Sequence, residues 1–365
     1  MSGLTVLEAI CMRLQECTSL LVFKFMSAGI IIATREPVDI ENYTSGQEFF
    51  LYTLTSILPR YGIRVKIMDV NEVIESRKRY SCDFMHLYYL GFKDIVTLRK
   101  LYRDTKMIYH VYHVEDVSWT KAHELSWKAF LLSMQPLVYA YLATSTSVYM
   151  WLKSKAFLAR SVLVEPYYKC SCRVFHSHGY LDMVRGKFQN HEIRLLYVGR
   201  LNPYRSPPHM LLQAAKSIGK KTKKAVRLVI VTKSENLPET KTSKYNNLTV
   251  DIINRRISDE EKCELYRESH FFIYLTPWGN VAMNPPITIL ESVYHGAIPI
   301  VSETISKDLK IPGVFMANSV EEAIDKIVLL YNNLGKAFHS ILTLKKVFEG
   351  FYDENRFINA FKCLV

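Results

Sequence analysis

The sequence predicts an α/β chain folded as two doubly wound, Rossmann-like domains facing a cleft. Three observations predict it. The chain has 365 residues, more than one ordinary core holds and a comfortable length for two α/β domains. Hydrophobic residues make up 49% and charged residues 22%, a globular balance that excludes wholesale disorder. Short apolar runs of strand length alternate with segments of helical spacing, the mark of βαβ units and parallel sheets.

The elements follow in order. Residues 1–27 read as an amphipathic N-terminal extension, because Glu8, Arg13 and Glu16 interrupt any signal-peptide core. Met26, just before the first strand, is a candidate native start. Residues 28–175 read as the first domain. Ala28–Ala33 is a buried strand, Gln47–Arg60 a helix stopped by Gly62, and Arg64–Met68 the second strand, together one βαβ unit. Strands are then expected at Asp83–Tyr88, Lys106–Val114, Val138–Thr144 and Val162–Val164, with helices at Ser126–Leu137 and Ser145–Lys155.

Residues 176–191 read as a linker with a surface loop, whose irregularly spaced histidines do not suit a metal. Residues 192–350 read as the second domain, with strands at Ile193–Val198, Val226–Val231, Leu248–Ile253, Phe271–Leu275 and Ile298–Val301. Its helices are expected at Met210–Ile218, Ser258–Ser269, Ile287–His295 and Ser319–Asn332. Ser258 and Glu261 have the spacing of a capping box. A last helix, Asp353–Cys363 within residues 351–365, is expected to return to the first domain.

The seven cysteines form no CxxC pair, which points to reduced thiols and a cytoplasmic protein. No segment supplies the roughly 20 apolar residues of a membrane span. The formal charge of +12 admits peripheral contact with an anionic membrane. The short run at Lys220, Lys221, Lys223 and Lys224 reads as a helix C-terminus, so no nucleic-acid partner is expected.

Two stretches can carry chemistry. In Tyr197-Val198-Gly199-Arg200-Leu201-Asn202-Pro203-Tyr204-Arg205 a strand ends, a glycine turns the chain, and two arginines lie five residues apart. Ligands of open α/β sheets bind at the carboxyl ends of strands. Two guanidiniums there suit a diphosphate, and a surface loop would also carry them. In Asn284-Pro285-Pro286-Ile287-Thr288-Ile289-Leu290-Glu291, Asn284 is a good N-cap, and a helix N-terminus favours an anion. Glu291, about two turns in, can accept hydrogen bonds from adjacent ribose hydroxyls, and a partly exposed helix glutamate fits the same pattern.

Taken together, the Gly199-Arg200-Leu201 strand end, the basic residue five positions on, and the Leu290-Glu291-Ser292 helix with its Gly296-Ala297-Ile298-Pro299 exit resemble glycosyltransferase family 4, retaining enzymes of the GT-B fold. The resemblance spans about residues 28–360 and is specific between 193 and 301. It implies that Arg200 and Arg205 hold the donor diphosphate as the main catalytic groups. It also implies that Glu291 holds the ribose, with Gly199, Asn284 and Ile287 completing the donor side.

On the first domain the resemblance implies an acceptor-side loop at Gly46 and a catalytic histidine at His113. His110 is read as sharing the sheet face of His113. The implied reaction transfers a sugar from a nucleotide sugar to an acceptor glycan, lipid or protein with retention, using no cofactor and no metal. Where the family carries the first glutamate of its paired motif this sequence has Met283, so either Asn280 or Asn284 substitutes for it or the acceptor supplies the contact. Met283 keeps open a catalytically weak or inactive binding module. A nucleotide-sugar epimerase is the remaining alternative and would need carboxylates near the sugar.

Overall fold

In the computed structural model, described here for residues 29–35, 38, 46–75, 82–114, 119–169, 177–201, 207–233, 238–276, 285–303, 311 and 313–362, the apolar runs form two separate sheets. The chain divides into two units, residues 1–167 with 353–365 and residues 168–352.

In the first unit, strands β1 (Gly29–Thr34), β2 (Arg64–Asp69), β3 (Phe84–Tyr88), β4 (Lys106–Val111), β5 (Ala140–Ala143) and β6 (Arg160–Leu163) pair in the order β2-β1-β3-β4-β5-β6. Every pairing is parallel. The continuous apolar runs exist because helices cover both faces of such a sheet. These are α1 (Gly46–Ile57), α2 (Val70–Glu75), α3 (Phe92–Leu101), α4 (Lys121–Ser133), α5 (Thr146–Lys155) and, from the far end of the chain, α12 (Glu354–Lys362). One face packs Met85, Leu87, Met107 and Tyr109 against Leu98 and Leu131. On the other, Phe50 of α1 meets Phe357 of α12 edge-on at 6.0 Å, and Glu354 accepts from Arg60 at 2.8 Å and from the Tyr61 hydroxyl at 3.1 Å.

Several expectations shift for local reasons. Gln47–Arg60 is helical only to Ile57, and a 3₁₀ turn then closes on Gly62 in the left-handed region at φ 77°. Helix α4 starts at Lys121, because the Thr120 hydroxyl caps it by accepting from the His123 N–H. Helices α2 and α3 lie in segments too short or too charged for apolar spacing to mark them. His110 and His113 do not share a face. They are three residues apart on a period of two, and His113 lies beyond the end of β4.

In the second unit, β7 (Glu192–Val198), β8 (Ala225–Val231), β9 (Thr240–Tyr245), β10 (Leu248–Ile253), β11 (Phe271–Tyr274), β12 (Ile298–Ser302) and β13 (Met316–Ala317) pair in the order β13-β12-β11-β7-β8-β10-β9. Strand β9, unmarked because its residues are polar and mostly exposed, adds antiparallel to β10. The helices are α6 (Ser177–Lys187), α7 (Pro208–Thr222), α8 (Asp259–Glu268), α9 (Ile287–Tyr294), α10 (Val320–Asn332) and α11 (Leu334–Phe348). Lys220 and Lys221 sit in the last turn of α7 and Lys223 caps its C-terminus, as their position before a strand predicts.

The expected linker at 176–191 is instead helix α6, docked on the C-terminal end of α9. The Tyr180 hydroxyl donates to the Val293 carbonyl at 2.7 Å, and the Lys187 ammonium donates to the carbonyls of Tyr266 and His295, each at 3.0 Å. Gly296 follows α9 at φ 71°, and a Cβ there would lie 2.7 Å from the Val184 side chain. Burial, reinforced by the Arg267 charge, holds the Lys187 ammonium well below the usual lysine range. The capping box at α8 is half formed. The Ser258 hydroxyl accepts from the Glu261 N–H at 3.1 Å, while the Glu261 carboxylate turns to Arg255 at 2.6 Å. Cys82 is a free thiol, but Cys263 is disulfide-bonded. The expectation of uniformly reduced thiols therefore fails at Cys263.

Candidate functional site

An open α/β sheet gathers ligands where its strand order reverses. In the second unit the chain leaves β7 toward β8 and returns to its other side as β11, so the reversal lies between β7 and β11. The carboxyl end of β7 is the Gly199-Arg200 turn. The Gly199 N–H donates to the Val231 carbonyl at 3.0 Å. Glycine suits the φ of 156° there, and a Cβ would lie 3.0 Å from the Tyr197 hydroxyl, which folds back to donate to the Arg200 carbonyl at 3.0 Å. The Arg200 side chain is exposed. Arg205, Asn280, Met283 and Asn284 lie outside the described residues.

Past β11 the chain enters α9, whose N-cap position falls to Pro286 rather than to the expected Asn284. Ile287 opens the helix, with its side chain in the core. Glu291 is 2% exposed, not the partly exposed glutamate that helical spacing also allows. One oxygen is 2.7 Å from the Lys262 ammonium, and the other accepts from the Tyr266 hydroxyl at 3.1 Å. Lys262 and Tyr266 are four residues apart on α8, so one helix face presents both donors to α9. That spacing was available in the sequence, but nothing local tied it to Glu291.

The Tyr266 phenol is pushed well above its usual range by burial and by the Glu291 charge, so it remains a donor. His295, at the end of α9, is pushed down to about 3 by burial and by Arg267 and Lys187, so it stays neutral. The arrangement is a desolvated, pre-oriented carboxylate with lone pairs left to accept further hydrogen bonds.

The first unit reverses between β1 and β3. Gly46 opens α1. His113 follows β4, half-buried, and its carbonyl accepts from the Trp127 indole at 2.8 Å. His110 is in the core, with neither ring nitrogen hydrogen-bonded. Burial, with His86 nearby, holds it well below the usual histidine range. It is therefore a neutral packing histidine. Among the described residues, no group of three or more His, Cys, Asp or Glu side chains can hold a metal ion. No helix among them is long and apolar enough to cross a membrane.

Residues 192–333 match the sequence model of the glycosyl transferases group 1 family. No curated protein matches the chain in sequence. Among solved structures, the chain is similar to sucrose-phosphate synthase from Thermosynechococcus elongatus, with a TM-score of 0.67 at 10% identity over 92% of this chain and 97% of that one. It is also similar to Anabaena Alr3699/HepE in complex with UDP-glucose, with a TM-score of 0.63 at 11% identity over 92% and 99%. A UDP-forming α,α-trehalose-phosphate synthase from Burkholderia xenovorans superimposes with a TM-score of 0.59 at 8% identity over 93% and 98%. At such identities the likeness is one of fold. Residues 192–333 thus match the glycosyl transferases group 1 family, within a chain that has the GT-B fold.

Proposed function

We propose that the protein is a retaining hexosyltransferase that moves a sugar from a nucleotide-sugar donor to an acceptor glycan, lipid or protein, without a metal or cofactor. The observation that carries this is the buried Glu291 carboxylate, held by Lys262 and Tyr266 on the helix that follows the strand-order reversal. The spare lone pairs of Glu291 accept the ribose hydroxyls. Arg200, together with Arg205, neutralises the diphosphate as charge builds on the leaving group, the usual work of preorganised cations. Complexes of HepE with UDP and UDP-glucose make a uridine donor the first to test. His113 and Gly46 face the acceptor, and the protein acts in the cytoplasm, where its charge of +12 supports peripheral contact with anionic membrane.

Incubation with UDP-glucose and other nucleotide sugars, with and without EDTA, tests the proposal. Expected are nucleotide release that EDTA leaves unchanged, an α-linked product from an α-linked donor, and a kcat lowered about 100-fold by Arg200→Ala. An Arg200→Ala variant turning over at the parent rate would remove the diphosphate role. Met283 favours one second reading, a binding module without turnover. A UDP-induced rise in melting temperature with no product from any donor would establish that reading instead.

A further inference from the structure

At the strand-order reversal of the first unit, a cavity of about 560 Å³ opens between the start of α3 and the face of α4. Its walls are aromatic. Tyr89 comes from the loop after β3, Phe92 from the first turn of α3, Tyr109 from β4, and Trp127 and Phe130 from α4, with Arg35 at the end of β1. Tyr89 and Phe92 are each 48% exposed. Exposed aromatic rings gathered into one concavity are costly to keep in water unless something covers them.

Tyr89 carries a second, independent signal. Its backbone lies in the left-handed region at φ 53°, where a bulky residue is strained. A glycine or asparagine would serve the turn better, and strain kept at a strand end beside a cavity points to use of the side chain. The ring is placed with care. One side stacks on Tyr112 at 5.5 Å with the planes 19° apart. Tyr112 stacks on His110 at 3.7 Å, and His110 on His86 at 5.2 Å. Tyr88 braces Tyr89 edge-on at 4.8 Å. Four rings thus run from the core to a half-exposed phenol at the surface.

The polar part of the rim is equally specific. Arg35 pairs with Asp94 at 2.9 Å, and Asp94 also accepts from the Gly91 N–H at 3.2 Å. Asp94 therefore offsets the guanidinium and holds the first N–H of α3, which weakens the pull of the cavity on a phosphate. Flat aromatic faces flanked by a neutralised Arg–Asp pair suit the apolar face of a pyranose ring and its rim of hydroxyls. An acyl chain would leave the remaining guanidinium donors of Arg35 facing apolar groups.

We infer that this cavity is the acceptor subsite and that its occupant is a pyranose ring of a glycan acceptor, stacked on Tyr89 and Phe92. The inference rests on the transferase reading above and names the acceptor class within it. The Trp127 indole bond to the His113 carbonyl ties the subsite wall to the strand end read as facing the acceptor.

Saturation-transfer NMR on the full chain, with maltotriose, cellotriose and chitotriose as sugar probes and octanoate as the acyl probe, tests it. At least one trisaccharide should bind through ring protons. Tyr89→Gly, which suits the observed backbone, and Phe92→Ala should each weaken that binding about ten-fold. The UDP-induced melting shift should be unchanged in both variants. Absence of trisaccharide binding, binding indifferent to both substitutions, or octanoate binding in place of the sugars would each overturn the assignment. The UDP shift of the unaltered protein separates the two readings, because its absence counts against the donor site while the sugar titration reports on the cavity alone.

Discussion

The two sheets reverse their strand order once each, on either side of their first strand, yet the chemistry at the two reversals is opposite. Beside β7 the second unit places an exposed arginine after a tight glycine turn and a buried carboxylate fed by a lysine and a tyrosine. Beside β1 the first unit places a stack of neutral rings and an arginine already neutralised by Asp94. Topology decides where a ligand sits, and side chains decide which one. Charged apparatus suits a nucleotide diphosphate, whereas an uncharged aromatic shelf suits a partner without formal charge.

Acid should act on both units alike, and by the largest amount. Each buries two histidines whose pKa is depressed chiefly by burial, His86 to about 3 with His110 in the first unit, and His270 to about 4 with His295 to about 3 in the second. A depressed folded pKa means that only the unfolded chain takes the proton below about 6.5. This contribution to stability is therefore complete above that pH and falls away as pH drops toward the folded values. Between pH 7 and pH 5 each unit should lose about 4 kcal/mol. Urea unfolding followed by hydrogen exchange resolves the units, and a unit whose stability is flat over that range would have its histidines charged or exposed.

Lys262→Met should break the symmetry. It strips the Glu291 carboxylate of its ammonium partner at 2% exposure. An uncompensated buried charge of this kind costs about 3 kcal/mol. Exchange protection should fall in the second unit and hold in the first. Equal losses in both units would mean that the pair is not a local feature of the second site.

The same contrast explains what was legible beforehand. The candidate site of the second unit was proposed from sequence because a glycine turn and a carboxylate on an apolar helix are local patterns, each readable within ten residues. The partners of Glu291 were not, since Lys262 and Tyr266 are separated from it by a whole strand. Helix α6 was hidden because its buried face is made by Tyr180, Val184 and Lys187, and a lysine in that set disguises the apolar period. The aromatic shelf was hidden more thoroughly. Tyr89 follows a strand, Tyr112 follows the next and Trp127 lies on a helix, so only the register of β3 with β4 brings the two tyrosines together. The left-handed backbone of Tyr89 has no signature in a tyrosine.

That backbone supplies the smallest effect and the cleanest one. At an ordinary position glycine destabilises relative to alanine by about 0.5–1 kcal/mol through the freedom it gives the unfolded chain. At φ 53° the order should invert, because alanine retains a left-handed penalty of about 1–2 kcal/mol that glycine does not have. Both variants lose the same stacking on Tyr112 and the same edge contact with Tyr88, worth about 1 kcal/mol each. The difference between them therefore isolates the backbone. Tyr89→Gly should unfold about 1 kcal/mol later than Tyr89→Ala. A first unit more stable with alanine would mean that the tyrosine is not strained, and the cavity would lose one of its two independent signals. The predicted order, joined to an equal loss of trisaccharide binding in both variants, would place the cost of the strained turn on the ligand that the ring receives.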